Sequence, residues 1–218
     1  MDSDTAMPAG ALRVAELPAR GSGVTRSPVA LRRPAYLTAC SFVRQLAPME
    51  RYVLRGGDEV TRAAGKALGL DISTRACRAA TSGSSSPTPL AALWLGPDEQ
   101  LLLGPEGGNI ASALAPSLRD LPHSLVDVSH RQTALEVSGS QATTLLSTGC
   151  PLDLDLAFFP VGMCTRTVLA KAEIVLWRTS EHVFHIEVWR SFAAYVSGFL
   201  AEAAREIAPP QRDSGDLL

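Results

Sequence analysis

Four cysteines in 218 residues, with no CxxC pair among them, are too few and too scattered for a disulfide framework or a thiolate metal site. Cys40, Cys77, Cys150 and Cys164 are therefore expected to be reduced and mostly buried. Positive charge is not in excess either: 20 Lys and Arg against 22 Asp and Glu leave a formal net charge of -2. That balance gives no general electrostatic case for nucleic acid or an acidic membrane surface. No apolar run approaches the roughly 20 residues of a membrane span, and the N-terminus lacks the apolar core of a signal peptide. A cytoplasmic protein is the resulting expectation. Also missing are a complete GxGxxG, a GxSxG elbow, an HExxH helix and any Cys/His cluster with zinc spacing. Gly21-Ser22-Gly23 begins a dinucleotide fingerprint, but Arg26 stands where the third glycine belongs. Neither a strand before it nor a helix after it is indicated.

What is present is apolar patterning, since 46% hydrophobic residues suffice for a core. Residues 1–35 lack a 2.0 or 3.6 period and read as a disordered or partner-bound tail, and 209–218 as a flexible C-terminal one. From Met49 the chain reads as a strand over Tyr52-Val53-Leu54-Arg55, a Gly56-Gly57 turn, and a helix capped by Asp58 and closed by Gly69. Arg75 to Ala80 reads as a strand and Ser82 to Pro89 as a loop. Ala91 to Leu95 and Gln100 to Leu103 form a hairpin around Gly96-Pro97-Asp98-Glu99, before a helix with Ile110, Leu114 and Leu118 on one side.

The second half carries the denser text. A strand over Thr133 to Val137 gives way at Ser138-Gly139 to a helix capped by Ser140, carrying Ala142, Leu145 and Leu146 and stopped by a left-handed Gly149 and Pro151. Strands follow at Thr165–Leu169, Ile174–Trp177 and Val183–Val188. A long helix then begins at Ser191 with Phe192, Tyr195, Val196, Phe199, Leu200, Ala203 and Ile207 at helical spacing. Both halves thus read β-α-β-β-β-α. Gly56 and Gly139, each ending a first strand, lie 83 positions apart, as do Trp94 and Trp177. The expected fold is α+β, two pseudo-repeated units over residues 47–122 and 123–208, with mainly antiparallel sheets and helices packed on them. One unit alone is a marginal core and two packed together are not.

Asp127-Val128-Ser129-His130, the alternating strand ending Val137-Ser138-Gly139, and Leu145-Leu146 resemble the folate-binding domain of aminomethyltransferases of the T-protein type. Within that superfamily, Gly149-Cys150-Pro151-Leu152-Asp153-Leu154, the run Phe159 to Thr167, and Trp189-Arg190-Ser191-Phe192 resemble the gamma subunit of heterotetrameric sarcosine oxidase. The resemblance implies a T-protein/YgfZ-like fold and a complex with alpha, beta and delta subunits. Such a complex oxidises sarcosine to glycine, yields 5,10-methylenetetrahydrofolate and reduces dioxygen to hydrogen peroxide. It also implies that FAD, FMN, NAD, zinc and tetrahydrofolate sit on the other subunits, leaving this chain a non-catalytic support.

No catalytic residue and no metal ligand is assigned to this chain. His182 and His185, three apart on a strand, face opposite ways and cannot share a metal directly. Glu173 lies near the strand position where T-protein-like chains carry an acid for the pterin; with Asp127 and Lys171 it forms the candidate folate contact set, although Ala170-Lys171-Ala172-Glu173 departs from that family's paired aspartates. Arg131, Arg166, Arg178, Trp189 and Arg190 are the candidates for a partner interface, where Trp and Arg are enriched. Trp94 and Trp177 are expected in the core and Trp189 facing a partner. The rival readings are a stand-alone aminomethyltransferase, for which the text after Ile207 leaves little room, and a YgfZ-type iron-sulfur assembly factor, whose Lys-Gly-Cys-Tyr signature is missing.

Overall fold

The structure is a computed structural model that describes residues 42–72, 75–83 and 90–207. The expected tails at 1–35 and 209–218, the Gly21-Ser22-Gly23 stretch and Cys40 lie outside the described residues, as does most of the 82–89 loop. In chain order the elements are β1 (Phe42–Gln45), β2 (Met49–Arg55), α1 (Asp58–Leu68), β3 (Ala79–Thr81), β4 (Ala91–Gly96), β5 (Glu99–Pro105), α2 (Ile110–Leu118), β6 (Ser124–Asp127), β7 (Gln132–Ser138), α3 (Ala142–Ser147), β8 (Cys164–Leu169), β9 (Ala172–Ser180), β10 (Val183–Trp189) and α4 (Arg190–Ile207). The chain is α+β, with two antiparallel five-stranded sheets and four helices among the described residues.

One sheet has the order β3-β4-β5-β2-β6 and the other β8-β9-β10-β7-β1. Each takes its last strand from elsewhere in the chain. β1 pairs with β7 and not with its neighbour β2, while β6 pairs with β2 and not with its neighbour β7. The two halves of the sequence are thereby tied by hydrogen bonds at both edges.

Side-chain alternation divides the core into three layers. On β4 and β5, Ala92 and Leu102 point to a cluster with Val60, Ala64, Ile110, Leu114 and Leu118 of α1 and α2. Their neighbours Ala91, Leu93, Leu101 and Leu103 point the other way and meet Ala134, Val175 and Trp177 of the second sheet. Strands covered on both faces have no use for a polar side, which is why β5 reads Leu-Leu-Leu. The far face of the second sheet packs Ile174, Leu176, Phe184, Ile186 and Val188 against Leu145, Leu146, Val196 and Leu200 of α3 and α4. The layering is helices, sheet, sheet, helices.

Helix boundaries follow local chemistry, with corrections to the sequence reading. Asp58 is the first residue of α1 and not its cap; Gly57 holds the cap position in an extended conformation, and Asp58 and Glu59 complement the helix dipole. Gly69 turns left-handed at φ 65° and closes the helix as expected. The Glu50 carboxylate of β2 accepts the N–H groups of Asn109 and Ile110, both at 3.0 Å, so a strand side chain caps α2. Ser140 does not cap α3, because Gly139 at φ 115° turns the chain and accepts the Ala142 N–H, leaving Gln141 at the cap. Gly149 is not a left-handed stop either. Space decides that position, since a Cβ there would lie 2.6 Å from the Phe199 ring of α4. The strand expected from Arg75 shortens to Ala79–Thr81 because Cys77 adopts a positive φ of 58°.

Candidate functional site

β2 and β10 face each other across the gap between the sheets. Alternation on β2 sends Arg51 inward with Met49 and Val53, and on β10 it sends His185 and Glu187 inward while Phe184, Ile186 and Val188 serve the helix side. Arg51 Nε donates to Glu187 Oε2 at 2.6 Å, with side-chain exposures of 3% and 0%. His185 Nε2 lies 2.7 Å from Glu187 Oε1, and its ring packs on Trp177 at 5.5 Å between centroids. Arg51 also donates to the Met49 carbonyl at 3.1 Å.

Burial alone would raise the Glu187 pKa. The Arg51 charge, the His185 hydrogen bond and the Arg51 hydrogen bond outweigh it and hold the carboxyl below its ordinary range. Glu187 is therefore ionised and accepts on both oxygens, which places the His185 proton on Nε2. A carboxylate held in this way is a poor proton acceptor at neutral pH, so its chemistry is structural pairing across the two sheets.

From this network a cleft of about 270 Å³ opens between the sheets, with Val53, Leu101, Val128 and Val175 on its walls. At its rim Arg166 donates to Glu99 at 2.7 Å, and Arg55 reaches Asp98 at 3.2 Å and Glu99 at 3.9 Å. At its mouth the Arg131 guanidinium lies over the Trp189 ring at 5.4 Å. Gln132 lines the same space, and its Oε1 is buried with no hydrogen-bond partner. Among the described residues no group of three His, Cys, Asp or Glu could hold a metal ion. No helix of the described residues is long and apolar enough to cross a membrane.

The candidate residues scatter over this frame. Glu173 lines the cleft, with its side chain 63% exposed and 3.9 Å from Arg166 Nε. Asp127, at the end of β6, accepts the Ser129 N–H at 2.8 Å and does not line the cleft; nor does Lys171, exposed on the turn between β8 and β9. The structure thus does not bring the three together. Arg131, Arg166, Trp189 and Arg190 are all on the surface. Arg178 is not: it is 2% exposed and donates to the carbonyls of Leu154, Phe159 and Glu181, because the loop before β8 folds over it. Trp177 is buried and Trp94 half-buried. His182 lies in the turn before β10, away from His185. Arg51 and Glu187 escaped the sequence reading, although a carboxylate amid the apolar run of β10 was a signal that a distant cation would meet it. Phe192 and Tyr195, expected on the packed face of α4, are 42% and 40% exposed. Ala193, Val196, Leu200, Ala203 and Ala204 take that face instead.

The sarcosine oxidase, gamma subunit family matches residues 55–206. A sarcosine oxidase subunit gamma from Corynebacterium sp. (strain P-1) is 39% identical over 118 residues, which are 54% of this chain and 58% of that one. The match thus spans little more than half the length of that relative. The subunit gamma from Corynebacterium sp. (strain U-96) is 29% identical over 208 residues, covering 95% of this chain and 98% of its own. Among solved structures, a chain of heterotetrameric sarcosine oxidase from Corynebacterium sp. U-96, in complex with pyrrole 2-carboxylate, superposes with a TM-score of 0.71 at 30% identity, covering 78% of this chain and 86% of that one. Aminomethyltransferase T of the glycine cleavage system from Bartonella henselae gives a TM-score of 0.58 at 14% identity, covering 78% of this chain and 50% of that one, a likeness of fold alone.

Proposed function

This chain belongs to the sarcosine oxidase, gamma subunit family, and from that premise we propose that it is the gamma subunit of a heterotetrameric sarcosine oxidase, assembled with alpha, beta and delta subunits in the cytoplasm. The complex converts sarcosine, tetrahydrofolate and dioxygen to glycine, 5,10-methylenetetrahydrofolate and hydrogen peroxide. FAD, FMN, NAD, zinc and tetrahydrofolate are held by the other subunits. The observation that carries this reading is the likeness, over most of both chains, to a chain of a solved heterotetrameric oxidase.

The role proposed for this chain is wall and scaffold of the folate-side compartment. A closed chamber keeps an iminium or formaldehyde-level intermediate from bulk water until folate captures it. Support within the chain comes from the inter-sheet acid, since Glu187 is committed to Arg51 and His185. Arg131, Arg166, Trp189 and Arg190 are the proposed partner contacts, and Glu173 is the proposed folate-side acid.

We also propose that the fold arose by duplication. Residues 47–122 and 123–208 are two copies of one β-α-β-β-β-α unit; in its favour, β2 to α2 and β7 to α4 follow one element order, and their sheets run β3-β4-β5-β2 and β8-β9-β10-β7. Co-expression with the candidate large subunits, followed by sizing, tests the assembly: a four-component complex is expected, and failure to co-elute overturns the reading. Flavin bound to the purified chain, or sarcosine turnover by it alone, overturns the non-catalytic role.

A further inference from the structure

Three large aromatics lie on the outside of the molecule where β10 runs into α4. Trp189, Phe192 and Tyr195, at i, i+3 and i+6, are 43%, 42% and 40% exposed. Phe192 and Tyr195, three apart on α4, are neighbours on its surface, whereas Trp189 ends β10 on the same side as Glu187, toward the cleft. The two α4 rings lie apart from the residues that pack the helix on its sheet, Ala193, Val196 and Leu200. An amphipathic helix needs one apolar face for the core, so exposed aromatics at this corner serve something outside the chain. Trp189 lines the mouth of the inter-sheet cleft, where it and the 51% exposed Val126 stand over an apolar floor.

Charge sets the character of what lies there. Arg44, Arg51, Arg55 and Arg166 each reach a carboxylate of this chain. Arg131 and Arg190, which flank Trp189, reach none among the described residues: Arg131 lies over the Trp189 ring, and Arg190 donates to the His130 carbonyl at 3.5 Å. Two uncompensated guanidiniums beside Trp189 have the composition of an interface hot spot, and they complement an acidic partner.

We propose that the surface formed by Val126, Arg131, Trp189 and Arg190 at the mouth of the cleft docks a segment of another subunit in which an acidic residue adjoins an apolar one. The carboxylate lies between Arg131 and Arg190, and the apolar side chain enters the cleft beside Val126 and Trp189. This rests on the multi-subunit reading above, and it adds which face is used and what the partner presents.

The test is made on the full chain co-expressed with the candidate large oxidase subunits, comparing wild type with Arg131→Glu, Arg190→Glu, Trp189→Ala and, as a charge control on α1, Arg62→Glu. The four substituted side chains, Arg62, Arg131, Trp189 and Arg190, are all exposed, and unfolding of each isolated chain is recorded to establish that it folds. Trp189→Ala, Arg131→Glu and Arg190→Glu are expected to weaken assembly at least tenfold, Arg62→Glu to leave it unchanged, and Arg131→Lys to keep most of the affinity. Wild-type binding is expected to weaken with added salt more steeply than that of Arg131→Glu. Folded Arg131→Glu and Trp189→Ala chains that assemble like wild type would overturn the docking surface while leaving the subunit reading intact. A wild-type chain that joins no complex would overturn the subunit reading itself, and the docking surface with it. A homodimer of this chain that dissociates on Trp189→Ala would also overturn the proposal, because the occupant would be a second copy.

Discussion

Arg51 Nε and Glu187 Oε2 meet at 2.6 Å across 136 positions of sequence, one on each sheet and both sealed from solvent. Apolar residues on either side of the gap can slide over one another at small cost. A buried guanidinium and carboxylate cannot, because any relative shift that parts them leaves two uncompensated charges. The pair therefore fixes how the two sheets lie on each other, and His185 completes it by saturating the second carboxylate oxygen.

Replacing Glu187 by Gln keeps the shape and removes the charge, so Arg51 is left buried without a counter-ion. Urea unfolding of Glu187→Gln is expected to show a loss of about 3 kcal/mol. Adding Arg51→Met should return part of that loss, giving a double-mutant coupling well above the few tenths of a kcal/mol found for independent sites. Strictly additive losses would show that the pair does not act as a unit.

Acid titrates the same pair. The Glu187 carboxyl is held below its ordinary range in the folded chain and returns to about 4.3 on unfolding. Its contribution is therefore complete above that unfolded value and is lost as pH falls through the folded one, because the unfolded chain binds the proton first. The stability gap between wild type and Glu187→Gln should be flat above about pH 5 and close below about pH 4, with a limiting slope of about 1.4 kcal/mol per pH unit. Urea midpoints taken from pH 3 to 7 measure it, and a gap independent of pH would contradict the depressed pKa.

The parts of this architecture legible in the sequence are those that local pattern dictates. The β-branched and aromatic runs of β8, β9 and β10 appear as strands, the Gly96-Pro97-Asp98-Glu99 turn as a hairpin, and the Ile110, Leu114, Leu118 stripe as the buried face of α2. What was not legible depends on residues far apart. β1 has four residues, and its partner β7 lies about ninety positions on; nothing in Phe42 to Gln45 encodes that choice. Glu50 capping α2 and Arg51 meeting Glu187 are likewise decided only when sheets and helices are in place. For the surface, Trp189 stood out by its chemistry and is exposed, whereas Arg178 had the same chemistry and is covered by the loop it binds. Residue type names a capacity, and the covering chain decides whether it is used.

Cys164 responds at the other end of the pH scale. Burial pushes its thiol up from 9.0 to about 12, and its Sγ lies 3.7 Å from the Trp94 carbonyl. A raised pKa means that the stabilisation is complete below the unfolded value and is lost as pH rises from about 9 toward 12, where the unfolded chain ionises first. Cys164→Ala should flatten this alkaline fall in stability. In the native chain at pH 8, iodoacetamide should label the half-buried Cys77 before Cys164, as read by mass spectrometry. Equal labelling of the two would mean that Cys164 is not sealed between the sheets.

Gly65 and Gly198 make a matched test of what packing does to helix propensity. Both lie inside helices, and in an open helix Gly→Ala is worth up to about 1 kcal/mol in favour of alanine. At Gly198 in α4 a Cβ meets nothing within 4 Å, so Gly198→Ala should stabilise the chain by most of that amount. At Gly65 in α1 the Cβ would stand 2.7 Å from the Leu70 carbonyl oxygen. That carbonyl belongs to the turn in which the Leu70 N–H closes on Gly65 O at 2.9 Å, so it cannot swing aside without opening the end of the helix. Overpacking against backbone costs about 1–3 kcal/mol and outweighs the propensity gain. Thermal melts should therefore move in opposite directions, Gly65→Ala down by several degrees and Gly198→Ala up by about 2–4 °C. An upward shift for Gly65→Ala would mean that the end of α1 yields to the added methyl, and that the approach of Leu70 does not explain the glycine there.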